Sequence, residues 1–387
     1  MLDYSDFKIW LDKNDCLNKN FSLMQEVVTE YLLRKFEDPW EHCDWPSVIC
    51  RELPTVISRC DEITYNEPGV PEAYIILHFL DRYHRFQLIF LDMLENGLFP
   101  IRETIDVMDI GTGPGPSLFA LSDMILLINL YLGEKGKEKG ILFVNLDYAE
   151  QSDGFRDFMH HVAELLLSKG HKTFVPFHHG TYHDAATFQS GEKKLIYVDA
   201  WKVMASPDEE DYFRVVPKYV PYKRAFNMVI YSNFLTNINV VDLFQEQLKK
   251  TMFYMRNRGV LVIVGGNPAD EKYFATYKRI DQVLCSQRYA NKQYGGWYKQ
   301  KAKTKMMSYS ADSEYNKAIL NFFKQMFGKI PKEEWNKIDE KTKTQLERFL
   351  KGTKDTSWYV SIYERYSFLR RYRKKDSDNS NKKEDPT

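Results

Sequence analysis

The chain has 387 residues, 43% hydrophobic and 28% charged, which is enough for a sizeable buried core and too apolar for a disordered chain. Its 54 basic and 54 acidic side chains cancel overall but not locally: residues 1–286 carry 30 and 41, and residues 287–387 carry 24 and 13. An acidic N-terminus unlike a signal peptide, a longest apolar run (124–132) too short for a bilayer, and five scattered cysteines together predict a cytoplasmic protein with no membrane partner.

Helical periodicity opens the chain. Over 21–36, Leu23, Val27, Val28, Tyr31 and Leu32 recur at three- and four-residue steps. Over 72–94 a longer stripe, including Ile75, Phe79, Tyr83, Phe86 and Phe90, does the same until Asn96, Gly97 and Pro100 end it. Residues 1–100 are therefore expected as a helical N-terminal region with its own buried face. From 105 the pattern changes to short apolar runs separated by helices. Strands are expected at 105–110, 141–147, 173–177, 195–199, 226–231 and 259–264, and helices at 116–132, 154–168 and 241–257. Such alternation produces βαβ units and a mostly parallel sheet covered on both faces, which places an α/β core at 101–286. Residues 181–222 are long for one connection and are expected to hold an insertion.

Beyond Cys285 the composition turns basic and aromatic. Residues 287–375 are expected as an α+β region, with helices at 313–327 and 332–351. The β-branched and aromatic stretch 357–368 suits an antiparallel closing strand. The polar, low-complexity tail 376–387 is expected to be disordered.

One motif carries chemistry: Asp106-Val107-Met108-Asp109-Ile110-Gly111-Thr112-Gly113-Pro114-Gly115-Pro116, where a strand hands over to a helix. Gly111 and Gly113 permit backbone angles closed to other residues and let the main chain approach a ligand. Pro116 suits the first turn of the next helix. Open α/β sheets bind ligands at this edge. The order G-x-G-x-G differs from the dinucleotide fingerprint G-x-G-x-x-G, and there is no G-x-x-x-x-G-K-[ST] phosphate loop.

The D-x-G-x-G-x-G pattern resembles motif I of class I S-adenosylmethionine-dependent methyltransferases. The resemblance implies a Rossmann-like class I methyltransferase sheet, mostly parallel with an antiparallel closing strand. The cofactor it implies is S-adenosyl-L-methionine, held by Asp109, Gly111, Thr112, Gly113 and Gly115. Asp147, at the end of the next expected strand, would accept hydrogen bonds from the ribose, and Tyr148 would pack on the adenine. Ser232 and Asn233, after the strand at 226–231, would face the methionine end. Asn233-Phe234 is not the N-P-P-Y of amino-nitrogen methyltransferases, and no Pro-Cys pair marks cytosine chemistry, so no catalytic residue is singled out.

Pro71-Glu72-Ala73-Tyr74 opening a long helix, and 358–365 near the end, are similar to the methyltransferase-like proteins of the small ribosomal subunit. That group carries a cysteine cluster after the fifth strand. Here only Cys285 stands there, so no iron–sulfur centre is expected. His178, His179 and His183, and the group His42, Cys43, Cys50 and Cys60, lack metal-ligand spacing, and no metal is expected. His178 or His179 is instead expected near the cofactor. Between 287 and 375, Tyr294, Trp297, Tyr298, Tyr309, Tyr363, Tyr366 and Tyr372 alternate with lysine and arginine, a mixture suited to phosphate contact and base stacking. The expectation is a methyltransferase acting on RNA or a ribosomal particle. A small-molecule enzyme and a non-catalytic assembly factor of the same fold are the alternatives.

Overall fold

The computed structural model describes residues 2–37, 43–59, 63, 65–136, 140, 141, 143–175, 226–266, 271–285, 296–351 and 356–367. Four helices come first: α1 (Tyr4–Lys13), α2 (Cys16–Glu37), α3 (Trp45–Arg59) and α4 (Val70–Glu95). The stripe read over 72–94 is the buried face of α4, with Ile75, Phe79, Tyr83, Phe86 and Phe90 almost wholly enclosed. Pro71 occupies its first turn, where no backbone donor is lost. α1 and α3 fall within the expected helical region 1–100, although no stripe places them individually.

The α/β part follows as β1 (Thr104–Ile110), α5 (Pro116–Glu134), β2 (Phe143–Ala149), α6 (Asp153–Ser168), β3 (Phe226–Ser232), α7 (Ile238–Leu243), α8 (Gln245–Tyr254), β4 (Met255–Gly265), α9 (Glu271–Cys285), β5 (Gly296–Tyr309), α10 (Glu314–Phe327), α11 (Lys332–Lys337), α12 (Glu340–Lys351) and β6 (Thr356–Ser367). The six described strands form one sheet in the order β2-β1-β3-β4-β6-β5. β2, β1, β3 and β4 run parallel, and β6 runs antiparallel to both β4 and β5. This is a mostly parallel, Rossmann-like sheet with the expected antiparallel closing strand.

Alternation along the strands divides the core between two faces. Val107, Leu146, Met228, Ile230, Val262 and Ile362 meet α1–α6 and α10 on one face. Met108, Ile110, Val229, Tyr231, Ile263 and Tyr363 meet α7–α9 on the other. The N-terminal helices therefore share one apolar core with the sheet and with the helices inserted between β5 and β6. α5 is long and apolar enough to cross a membrane by length and composition, but most of it is buried in this core.

Several expected boundaries move. The helix expected at 241–257 is two short helices, and β4 begins at Met255. The helix expected at 332–351 is broken between Lys337 and Glu340. β5 was not expected, because its lysines among aromatics read as a basic stretch suited to phosphate contact. Charged residues at intervals are what an edge strand carries to stay unpaired. Thr173, Phe174 and Val175 form no strand, and 176–225, with the strand expected at 195–199 and His178, His179 and His183, lies outside the described residues, as does the tail 376–387.

Candidate functional site

The glycine turn sits at the C-terminal edge of β1. Gly111 has φ +66° and Gly113 φ +60°, both in the left-handed region. The Gly111 N–H donates to the Ala149 carbonyl at 2.9 Å, fastening the turn to the end of β2. The two glycines differ in what surrounds them. A Cβ on Gly111 would overlap the Phe234 ring, whereas one on Gly113 would meet only Phe155 and Tyr74, each at 4.0 Å. Gly111 is closed by packing, whereas Gly113 meets nothing closer than those two aromatics among the described residues.

Asp109 lies beneath this turn, fully buried. Its Oδ2 accepts a hydrogen bond from Thr112 Oγ1 at 2.8 Å and another from Ser117 Oγ at the start of α5. Its Oδ1 has no hydrogen-bond partner among the described residues. Burial pushes the carboxyl up to about 7, against the two hydroxyls, which favour its charged form.

The structure moves the second carboxylate. The expected strand 141–147 begins two residues later, because Asn129 of α5 clamps Ile141: its Oδ1 accepts from the Ile141 N–H at 2.8 Å and its Nδ2 donates to the Ile141 carbonyl at 2.7 Å. Register then sets Met108 opposite Asp147, Asp109 opposite Tyr148 and Ile110 opposite Ala149. Asp147 is thus inside the strand, short of its tip. Tyr148 is buried in the core shared with the N-terminal helices, not laid beside the turn.

The carboxylate level with Gly111 is Glu150. Its Oε2 accepts the Gly113 N–H at 2.7 Å and its Oε1 accepts the Ser152 N–H at 2.8 Å. Burial raises its pKa, partly offset by those backbone donors. Arg156 bonds the Glu150 carbonyl oxygen at 3.0 Å and the Asp153 carboxylate, so it acts on the Glu150 side chain only from a distance. A cue was present in the sequence. Ser152 caps α6, its Oγ accepting from the Phe155 N–H, and a cap there leaves Glu150 as the last acid before the helix.

The third wall is the end of β3. Ser232 is buried, and Asn233 adopts φ +52°, a conformation asparagine tolerates better than most residues. Its N–H donates to the Val264 carbonyl at 2.9 Å, and its Nδ2 lies 3.3 Å from Ser232 Oγ. The next residue, Phe234, supplies the ring against Gly111. Asp109, Thr112, Gly111, Gly113, Ser232 and Asn233 are therefore brought to one edge as expected from their positions. Gly115, at φ +78°, caps α5.

Sequence reasoning missed the aromatic rim. Tyr65, Tyr74 and Phe155 pack with ring centroids 5.0–5.2 Å apart, and His78 stands 4.9 Å from Tyr74, one helical turn along α4. Burial pushes His78 down to about 4, so its imidazole is neutral near pH 7. The Pro71–Tyr74 tetrapeptide was noticed only as an element of resemblance, and nothing local to it reveals that α4 reaches Gly113.

No cluster of histidine, cysteine or carboxylate residues suited to a metal occurs among the described residues. Cys285, at the end of α9, is a thiol pushed up to about 12 by burial and by Asp281.

No protein-family model matches the sequence, and no curated protein matches it. Solved structures do resemble the fold. A provisionally assigned class I S-adenosylmethionine-dependent methyltransferase from Listeria monocytogenes shares 11% identity over 91% of this chain and 89% of that one, with a TM-score of 0.39. Geranyl diphosphate C-methyltransferase from Streptomyces coelicolor shares 10% over 84% and 98%, with a TM-score of 0.31. Precorrin-6y C5,15-methyltransferase from Geobacter metallireducens shares 9% over 72% and 86%, also at 0.31. Identities of this size describe fold and carry no chemistry across.

Proposed function

We propose that this chain is an S-adenosylmethionine-dependent methyltransferase. The observation that carries the reading is the pair of buried acids at one glycine turn, Asp109 and Glu150, with no cation bonded to either carboxylate among the described residues. A buried charge without a partner is costly, and a cationic ligand at the turn relieves that cost. Among the described residues nothing comes nearer than 4.0 Å to a Cβ placed on Gly113, which supports room for such a ligand against the backbone.

In this reading Glu150, in place of Asp147, accepts from the ribose hydroxyls through the lone pairs its two backbone donors leave free. Gly111, Thr112 and Gly113 carry the methionine portion, with Asp109 beneath them. Ser232 and Asn233 border the methyl acceptor, and Tyr74 and Phe155 exclude water from the open side. The bound cofactor supplies a methyl group on a sulfonium leaving group. What the protein adds is chiefly positioning.

RNA or a ribonucleoprotein is the proposed acceptor. Support comes from β5 and β6, where Trp297 and Tyr366 stack at 5.5 Å and Arg258 lies 5.0 Å over Tyr366. Lys301 approaches the same ring at 5.6 Å, and Lys299 beside it is exposed. Aromatic rings among cations suit a single strand's bases and phosphates. This cluster lies where the parallel strands begin, at the opposite end of the sheet from the glycine turn, so it would dock RNA and not hold the reacting atom.

The test is calorimetry with S-adenosylmethionine, followed by transfer of labelled methyl to total RNA, protein and metabolite pools. Binding with label in RNA supports the full reading. Label confined to metabolites replaces the acceptor with a small molecule, binding without any transfer indicates a non-catalytic factor, and absence of binding removes the proposal. RNA affinity should also fall steeply with salt, and Arg258→Ala with Lys299→Ala should flatten that dependence without changing cofactor affinity.

A further inference from the structure

Asp109 is buried, and one of its carboxylate oxygens is without a partner. Its other oxygen is held by two hydroxyls, which solvate a carboxylate and supply no charge. Around it, β2 contributes Tyr148 opposite and Glu150 beyond the tip, β3 contributes Ile230 opposite, and α5 contributes Ser117. Among the described residues, the charged side chain that bears on it is Glu150, and that acid repels it. Tyr74 of α4 lies beside Gly113, and His78, packed on Tyr74, is lowered by burial and so neutral near pH 7. Two acids thus meet at one turn, and among the described residues no cation bonds to either carboxylate, with Arg156 acting on Glu150 only from a distance.

We propose that Asp109 is a specificity residue that reads the charge of the ligand: it surrenders its proton to solvent when a cationic ligand settles on the turn, so the site favours S-adenosylmethionine over its uncharged-sulfur product. This rests on the function proposed above. The two ligands differ by a methyl group and one positive charge. S-adenosylmethionine carries a sulfonium, an ammonium and a carboxylate, for a net charge of +1, whereas S-adenosylhomocysteine is net neutral. Adenosine lacks the amino-acid portion and is uncharged.

Burial holds the Asp109 carboxyl at about 7, so near that pH the group exchanges its proton with solvent. A cation nearby favours the carboxylate and lowers that value. No bond other than O–H breaks, and the proton passes to buffer. Product leaving after methyl transfer is then helped by recapture of the proton, because the neutral-sulfur product holds the carboxylate less firmly.

The test is calorimetric titration of the full chain in buffers of different ionisation enthalpy, using S-adenosylmethionine, S-adenosylhomocysteine and adenosine. At pH 7, S-adenosylmethionine should release about half a proton, S-adenosylhomocysteine less, and adenosine none. Between pH 6 and pH 8 affinity for S-adenosylmethionine should rise about tenfold, while that for adenosine stays level. Asp109→Asn should abolish the release. Should that variant fold poorly, Ser117→Ala offers a second route: losing a donor to the charged form should move the pH of greatest release upward. Equal release with all three ligands, no release with S-adenosylmethionine, or unchanged release in folded Asp109→Asn overturns the inference and leaves the cofactor assignment standing. A chain that binds none of them overturns the proposed function instead.

Discussion

Where the parallel strands begin, buried acids are met by cations of the chain itself. Asp106 of β1 lies 2.9 Å from Arg256 and accepts from Asn145 at 2.7 Å. Glu364 of β6 lies 2.8 Å from both Arg258 and Lys301. Where the strands end, Asp109 and Glu150 are equally enclosed, yet among the described residues only hydroxyls and backbone N–H groups bond to their carboxylates. Desolvation is similar at the two ends, so the difference lies in who supplies the positive charge. A structural acid is neutralised internally, and in the proposed function a ligand supplies the positive charge at Asp109 and Glu150.

The sharpest way to break that contrast is at the turn. Gly111→Ala adds a Cβ against Phe234 at a left-handed φ and should cost about 2–5 kcal/mol, divided between stability and cofactor affinity. Gly113→Ala has the same φ penalty without the overlap and should cost about 1–2 kcal/mol. Denaturant melts and cofactor titrations of the pair would measure the difference, and equal losses would mean the Phe234 contact is unimportant.

Next in size is the choice of ribose carboxylate. Glu150→Gln should weaken S-adenosylmethionine by about 1.5–3 kcal/mol, the worth of hydrogen bonds to a charged group. Asp147→Asn should leave that affinity nearly unchanged, since Asp147 stops short of the tip. The reverse ranking in titrations would return the role to Asp147.

At the opposite end the effect should fall on stability alone. Arg256→Met leaves Asp106 without its cation and should cost about 1–2 kcal/mol in denaturant unfolding, discounted because Arg256 is partly exposed. Cofactor affinity should not change. A loss of affinity would show that the two ends are coupled.

The smallest effect concerns His171, whose Nε2 lies 2.8 Å from Asp123 on α5. The hydrogen bond to Asp123 raises its pKa above the ordinary histidine value. The contact therefore stabilises the fold fully below about pH 6.5 and is lost as pH rises through the higher folded value. Thermal melts should show a small decline across that interval. His171→Ala should flatten it, and an unchanged decline would assign it to another group.

Local chemistry was readable from the sequence alone. The glycine turn is encoded within eleven residues, and the apolar stripe of α4 and the βαβ alternation repeat over single elements, because backbone freedom and side-chain periodicity act between near neighbours. The antiparallel closing strand was equally visible in the β-rich run near the end. Other features were settled only by packing at a distance. Whether Asp147 or Glu150 reaches the turn depends on where β2 starts, and Asn129 of α5 decides that by holding Ile141 out of the strand. β5 reads as a basic stretch until β6 pairs with it. The approach of Tyr74 to Gly113 depends on how α4 lies against the sheet. Register, helix placement and burial of charge are properties of contacts between elements, and contacts of that kind leave no periodic trace in either partner's own sequence.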